Sequence, residues 1–206
     1  MSYIAVAQEN FASLNETKIE LNKVSSKKYR YTFSLKSRQY LYRNENIQFK
    51  YRHLDISHFS ILSLKNNKNI GLSFLYRTIA NFEKTTNEFR ITQQYNIKSY
   101  KFNHRFRLDQ RFNKNFTIHR FRYKLSFEIT LKNKGVKKTQ LNIGNELMHN
   151  MIANTSPKLE YRFSTILNHR VSKYINIQFG LEHRLFDINN KTNHRFVLLP
   201  SAIFNI

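Results

Sequence analysis

The stretch LDISHF at residues 54–59 brings Asp55, Ser57 and His58 within four positions. A serine beside a histidine is the minimal equipment for nucleophilic hydrolysis. The imidazole takes the hydroxyl proton, and a carboxylate can orient the ring. In an extended strand, however, successive side chains point to opposite faces, so Ser57 and His58 diverge. A working pair then needs an imidazole from a neighbouring strand, such as His149 or His183. The other histidines are scattered. There is no Gly-rich phosphate loop, no His-Glu-x-x-His and no nucleophile elbow. Zero cysteine excludes a disulfide scaffold and a thiolate metal site. The expectation is a non-enzymatic protein with no cofactor and no metal.

A second set of residues is far more regular. In HRFRLDQRF (104–112) and HRFRYKLSFEITL (119–131), charged or polar residues, most often Arg, recur at every second position, mostly with Phe, Tyr, Leu or Ile between them. Reading the same alternation along the chain puts Arg90, Arg105, Arg107, Asp109, Arg111, Arg120, Arg122, Glu128, Glu146, Glu160, Arg162, Glu182 and Arg184 on one polar face. On neighbouring strands such groups can form a cross-strand network of ion pairs. Two roles fit: a charge-paired filling that holds a wall together, or a lining that binds or selects anions. The chain carries 35 Lys and Arg against 13 Asp and Glu, a net charge of +22. That excess points to an anionic partner. An AT-rich coding sequence, which also favours Asn, Ile, Phe and Tyr, is the alternative source.

The elements that must position these residues are strands. Period-2 segments follow one another, and no helix-period segment stands out. Tyr29 to Lys36, about 55–65, Ile70 to Tyr76, Glu88 to about 97, Lys101 to Phe112, 117–131, Leu141 to Leu147, Leu159 to Ser164, Ile175 to Glu182 and Phe196 to Ile206 alternate between apolar and polar faces. A weaker segment lies at Ile19 and Leu21. Tight polar turns at Asn66-Asn67-Lys68, 133–138 and Val171-Ser172-Lys173 alternate with longer links near 43–54, 78–86, 151–157 and 187–193. At roughly 9–11 residues per crossing strand, the length allows about 10–12 strands. An even number is expected, so the weak segment either stays at the rim or is joined by a further strand in 8–16 or 43–54. At the N-terminus, Ala5-Val6-Ala7 before Gln8 has the small residues of a signal-peptidase site. The organisation read from the sequence is therefore 1–7 as the remnant of a signal peptide, 8–27 as an N-terminal segment with at most one weak strand, and 28–206 as a β-barrel.

Long alternating strands suit two architectures. A soluble barrel buries its apolar face; a membrane barrel turns that face to lipid and encloses the polar one. A small soluble interior, usually filled by branched aliphatics, has little room for 18 Phe and 12 Tyr. A lipid-facing wall does, and aromatics favour its interfaces. The fold expected is all-β, an antiparallel up-and-down transmembrane β-barrel in the Gram-negative outer membrane, exported by its signal peptide. Its role is structural, or that of a small-solute or anion channel with a charged, mostly filled lumen. Its partners are outer-membrane lipid and lipopolysaccharide, and the barrel-insertion machinery that reads an apolar C-terminal strand such as the one ending in Phe204 and Ile206. It is expected to act as a monomer. Two alternatives stay open. One is a lipid-modifying outer-membrane hydrolase built on Ser57. The other is a soluble basic β protein that binds nucleic acid, although base-stacking aromatics should then share a face with the cations.

The succession NEFRITQQYNI (87–97), HRFRLDQRF (104–112), HRFRYKLSFEITL (119–131) and NELMHN (145–150) resembles an uncharacterised outer-membrane β-barrel family, a domain-of-unknown-function group of Bacteroidetes-type Gram-negative bacteria. The family pattern runs as an E-x-R strand, an R-x-R-x-D-x-R strand, an R-Y-x-L strand and an N-E-L/F strand, and the resemblance covers roughly residues 55–206. The chain departs from it in having no Trp and few Gly. The resemblance implies a barrel and an outer-membrane address, and it implies no catalytic or ligand-binding residue.

Overall fold

A computed structural model describes residues 11–43, 46–79, 87–134, 137–153 and 155–206. The proposed signal-peptide remnant at 1–7 lies outside the described residues, as do most of the 78–86 link and the tips of two hairpins. Every regular element is a strand: β1 Phe11–Val24, β2 Tyr29–Arg43, β3 Asn46–Ser63, β4 Lys68–Ile79, β5 Glu88–Ser99, β6 Phe102–Phe112, β7 Thr117–Lys134, β8 Lys137–Ile152, β9 Lys158–Arg170, β10 Ile175–Phe186, β11 Asn193–Leu198 and β12 Ser201–Asn205. From β1 to β10 each strand pairs antiparallel with the next. β10 then pairs antiparallel with both β11 and β12, and both run parallel to β1. The sheet closes on itself.

β11 and β12 are one stave with a break. Leu199-Pro200 interrupts it because proline has no N–H to give the ladder. The Leu199 amide still donates to Gly180 O (2.8 Å), and Pro200 O accepts from the Lys18 amide (3.0 Å). The barrel thus has eleven staves. The count falls within the expected 10–12 but is odd, which corrects the even number inferred from the sequence. With an odd count the first and last staves run in the same direction, and a parallel seam is what closes the wall. Eleven staves about 4.8 Å apart and tilted roughly 40° enclose a barrel about 22 Å across between facing backbones.

The eleventh stave is β1, which the sequence presented as a weak segment at the edge of the barrel. It is a full-length strand, paired with β2 along its whole length and with both halves of the last stave. Its apolar residues change faces. Ala12 and Leu14 are buried inside, whereas Ile19 and Leu21 are exposed outside. That switch erases the period-2 signal. The supposed link at 43–54 is corrected likewise: β2 and β3 continue through most of it. Register shifts at Arg38/Gln39 and Tyr40/Tyr42 mark bulges there, and Arg52 is left without a Cα partner. A bulge breaks alternation, which made this strand read as a loop. The Asn66-Asn67 turn is tight as expected, with both residues at positive φ (58° and 56°), the geometry of a type I′ hairpin turn.

The register decides which face each side chain takes. Tyr29, Leu62, Ile70, Tyr95, Phe106, Tyr123, Leu147, Tyr161 and Leu185 are successive cross-strand partners, one unbroken row over nine strands. Side chains of this parity point outward: Phe121 is 49% exposed, Leu147 52% and Phe179 54%. Buried apolar side chains among the described residues are few, namely Ala12, Leu14, Ile61, Met148, Val197 and Ile203. Most of what is buried is polar or charged. This is the inverse of a water-soluble core.

Candidate functional site: the charged lumen

One residue away from the apolar row, on the other parity, lies its inward counterpart. Asn96, Arg105, Lys124, Glu146, Arg162, Arg184 and Arg195 are successive partners from β5 to β11. The alternation of a flat strand puts rings on one side and guanidinium groups on the other. Closure of the sheet then turns every charged face toward one enclosed volume of about 500 Å³.

The acidic side chains act as nodes. Glu146 on β8 accepts from Arg122 Nη2 (2.9 Å) and, across β7, from Arg105 Nη2 (3.0 Å). Asp109, with no exposure at all, accepts from Thr92 Oγ1 (2.8 Å) and Arg122 Nη1 (3.2 Å). Glu88 binds Arg90 and Arg111 and lies 3.9 Å from Arg77. Glu160 meets Arg120 and Arg162, each at 3.4 Å, and accepts from Asn150 Nδ2 (2.8 Å). Glu182 pairs with Arg184. Several of these bonds skip a strand: β6 to β8, β7 to β9, and Arg184 on β10 to Glu16 on β1 (3.4 Å). Side chains long enough to reach past a neighbour knit the wall from within. Such charge-assisted bonds are roughly twice as strong as neutral ones and leave few acceptors unfilled.

Twelve of the thirteen candidates read from the sequence meet in this interior. Arg107 is among them, donating to Gln94 Oε1. Glu128 stands apart: its partners are Gln140 and, at 4.0 Å, Lys98, and its side chain is 34% exposed. It belongs to the rim. Sequence reasoning missed a whole second cluster. Arg77 grips Asp55 with two bonds, Nε to Oδ1 (2.6 Å) and Nη2 to Oδ2 (2.7 Å). Lys36 lies 3.4 Å from Asp55 and 3.3 Å from Glu16, and Arg38 binds Glu16. Lys36 and Arg77 were accessible signals, each adjoining an alternating apolar run. Glu16 and Arg38 were hidden, one by the face switch in β1 and the other by the β2 bulge.

The Asp55, Ser57 and His58 trio is separated by the wall. Asp55 is held by Arg77, and Ser57 Oγ lies 2.7 Å from Ser34 Oγ inside. His58 is outside against Phe33, ring centroids 4.7 Å apart, with Nε2 3.0 Å from Ser60 Oγ. His183 faces outward too, against His194 and Phe196. The structure therefore assembles no Ser57–His pair. Among the described residues no group of three or more His, Asp and Glu is placed to hold a metal ion.

A family described as "Protein of unknown function (DUF2490)" matches residues 15–195, nearly all of the barrel. The chain belongs to this family. No curated protein and no solved structure matches it. The matched span of this DUF2490 barrel runs from the first stave to Arg195 in the last, so the charge nodes and the apolar rows both fall within it.

Proposed function

We propose that the chain is a membrane-spanning barrel of the Gram-negative outer membrane, non-enzymatic, with an interior closed by its own ion pairs rather than an open pore. One observation carries this reading: the continuous outward apolar row backed by the inward cationic row. Water on both sides of the wall would leave the whole ring of Phe, Tyr, Leu and Ile hydrated, whereas hydrocarbon outside removes that cost. The shortest uninterrupted stave, Phe102–Phe112, has 11 residues, enough for a tilted crossing of roughly 9–11. Closure leaves no free sheet edge, the condition for strands in lipid. Outer-face polar groups pair among themselves: His104 Nδ1 lies 2.9 Å from Tyr123 Oη, Tyr29 Oη lies 2.8 Å from Ser60 Oγ, and Tyr161 Oη donates to Asn145. Insertion by the barrel-assembly machinery and contact with lipopolysaccharide follow from this placement.

Nucleic-acid binding finds no support in the arrangement, because the cations are enclosed and the rings lie on the other face. The test is membrane fractionation followed by gel mobility with and without boiling. A lipid-embedded barrel sediments with outer membranes and migrates as a compact species until heated. Recovery of the folded protein from the soluble fraction without detergent overturns the reading.

A further inference from the structure

The interior does not balance its charge. Fifteen Lys and Arg side chains line the cavity against five Glu. Three further carboxylates, Asp55, Glu88 and Asp109, are buried in the wall beneath them. The excess is seven positive charges among the described residues. Part of it faces the cavity where β6 and β7 meet. Arg107 stands directly opposite Arg122, and Arg105 directly opposite Lys124. All four side chains line the same cavity. Like charges in directly opposed positions destabilise a sheet, and the repulsion grows when water is scarce.

Two members of this square have no ion pair among the described residues. Among the described residues, Arg107 bonds only to the amide oxygen of Gln94, and Lys124 Nζ only to Ser164 Oγ at 3.2 Å. The other two share Glu146, yet the Nε groups of both Arg105 and Arg122 are buried without an acceptor. Gly144 lies beneath the square. A Cβ there would fall 2.5 Å from Lys124 Cε and 3.0 Å from Ser164 Oγ, so only glycine leaves Lys124 its place. Two guanidinium forks, a third guanidinium and an ammonium converging from adjacent strands match the several oxygens of a multiply charged oxyanion.

We propose that the lumen binds a phosphate-type oxyanion between Arg105, Arg107, Arg122 and Lys124. The phosphate comes either free from solution or as the headgroup of an anionic lipid, and both present the same oxygens. The site does not depend on what surrounds the outer wall. A barrel that stays in solution without detergent is titrated in the same way, so failure of the membrane placement and failure of this site give different results.

The experiment titrates folded protein with inorganic pyrophosphate and, in a separate arm, with short-chain phosphatidic acid, following calorimetric binding and the thermal midpoint of the gel-mobility shift. Sodium chloride at matched ionic strength is the reference. At least one phosphate probe is expected to bind and raise the midpoint where chloride does not. Saturation by pyrophosphate identifies the free anion as the ligand; binding of phosphatidic acid alone identifies the headgroup. R107Q/K124Q is expected to weaken binding at least tenfold, while the charge-conserving R107K retains most of it. The double variant removes one cation from each opposed pair and breaks no ion pair, so it should fold, as its gel mobility will report. The proposal is overturned if neither probe binds, if chloride acts equally, or if R107Q/K124Q binds as tightly as the wild type.

Discussion

Glu146 is the most exacting place to test the interior. Its carboxylate holds Arg122 at 2.9 Å and Arg105 at 3.0 Å, and its side chain is 5% exposed. It is also the one acidic member of a cross-strand row that otherwise carries Arg105, Lys124, Arg162, Arg184 and Arg195. Glu146→Gln keeps the shape and one carbonyl acceptor. Charge-assisted bonds are worth about 1.5–3 kcal/mol each, and the amide can hold one of the two guanidinium groups at roughly 1 kcal/mol. Arg122 keeps Asp109; Arg105 loses its only carboxylate partner among the described residues. The expected destabilisation is about 3–4 kcal/mol, in line with the roughly 3–5 kcal/mol for breaking a buried pair. Glu128→Gln is the control. Its nearest cation is 4.0 Å away at a rim position, so the cost should be under about 0.5 kcal/mol. The assay is urea unfolding in detergent micelles, read by the folded-to-unfolded band ratio. Adding Arg105→Gln to Glu146→Gln should recover at least about 1 kcal/mol, because it removes the stranded charge. If both single variants fall within about 1 kcal/mol of the wild type, the nodes do not stabilise the barrel and the account of the lumen is wrong.

Four further outcomes are expected. Leu147→Arg, in the outward apolar row, should cost about 2–4 kcal/mol in lipid vesicles, as a cation does near the bilayer centre; a cost under about 0.5 kcal/mol would mean that the wall meets water. Protein reconstituted in planar bilayers should show no steady open-pore current at neutral pH, because the strand-skipping ion pairs cross the lumen. Gly144→Val should displace Lys124 from Ser164 at a cost under about 1 kcal/mol in the same urea assay, because the atom it meets is the end of a flexible side chain. In the β10–β11 loop, hydrogen bonds from Asn190 (2.8 Å) and from Lys158 (3.1 Å) hold the Asp187 carboxyl below its ordinary range. A depressed carboxyl lends its contribution above the unfolded value and loses it as pH falls through the folded one. Protection of the Asn190 amide, which donates to Asp187 O, measured against its intrinsic exchange rate at each pH, should therefore fall only in acid below the ordinary aspartate range.

Strand identity was legible in the sequence wherever a strand kept one face mostly apolar and the other mostly polar or charged. β5, β6, β7, β9 and β10 do so, because a period of two residues is a purely local property. Arg105, Arg107 and Arg122 could therefore be assigned to one face before any fold was known. Where a strand trades faces, as between Leu14 and Ile19, or gains a residue at a bulge, as at Arg52, local alternation fails, and Glu16 and Arg38 went unseen with it. Which cation meets which carboxylate is not local at all. Glu16 and Arg184 lie at opposite ends of the chain and meet only because an odd number of staves closes β1 in parallel against β11 and β12. Alternation specifies what each face is made of. Closure and register, which depend on every strand at once, specify that the charged face is the inside and that Arg107 and Lys124 enter it with no ion pair among the described residues.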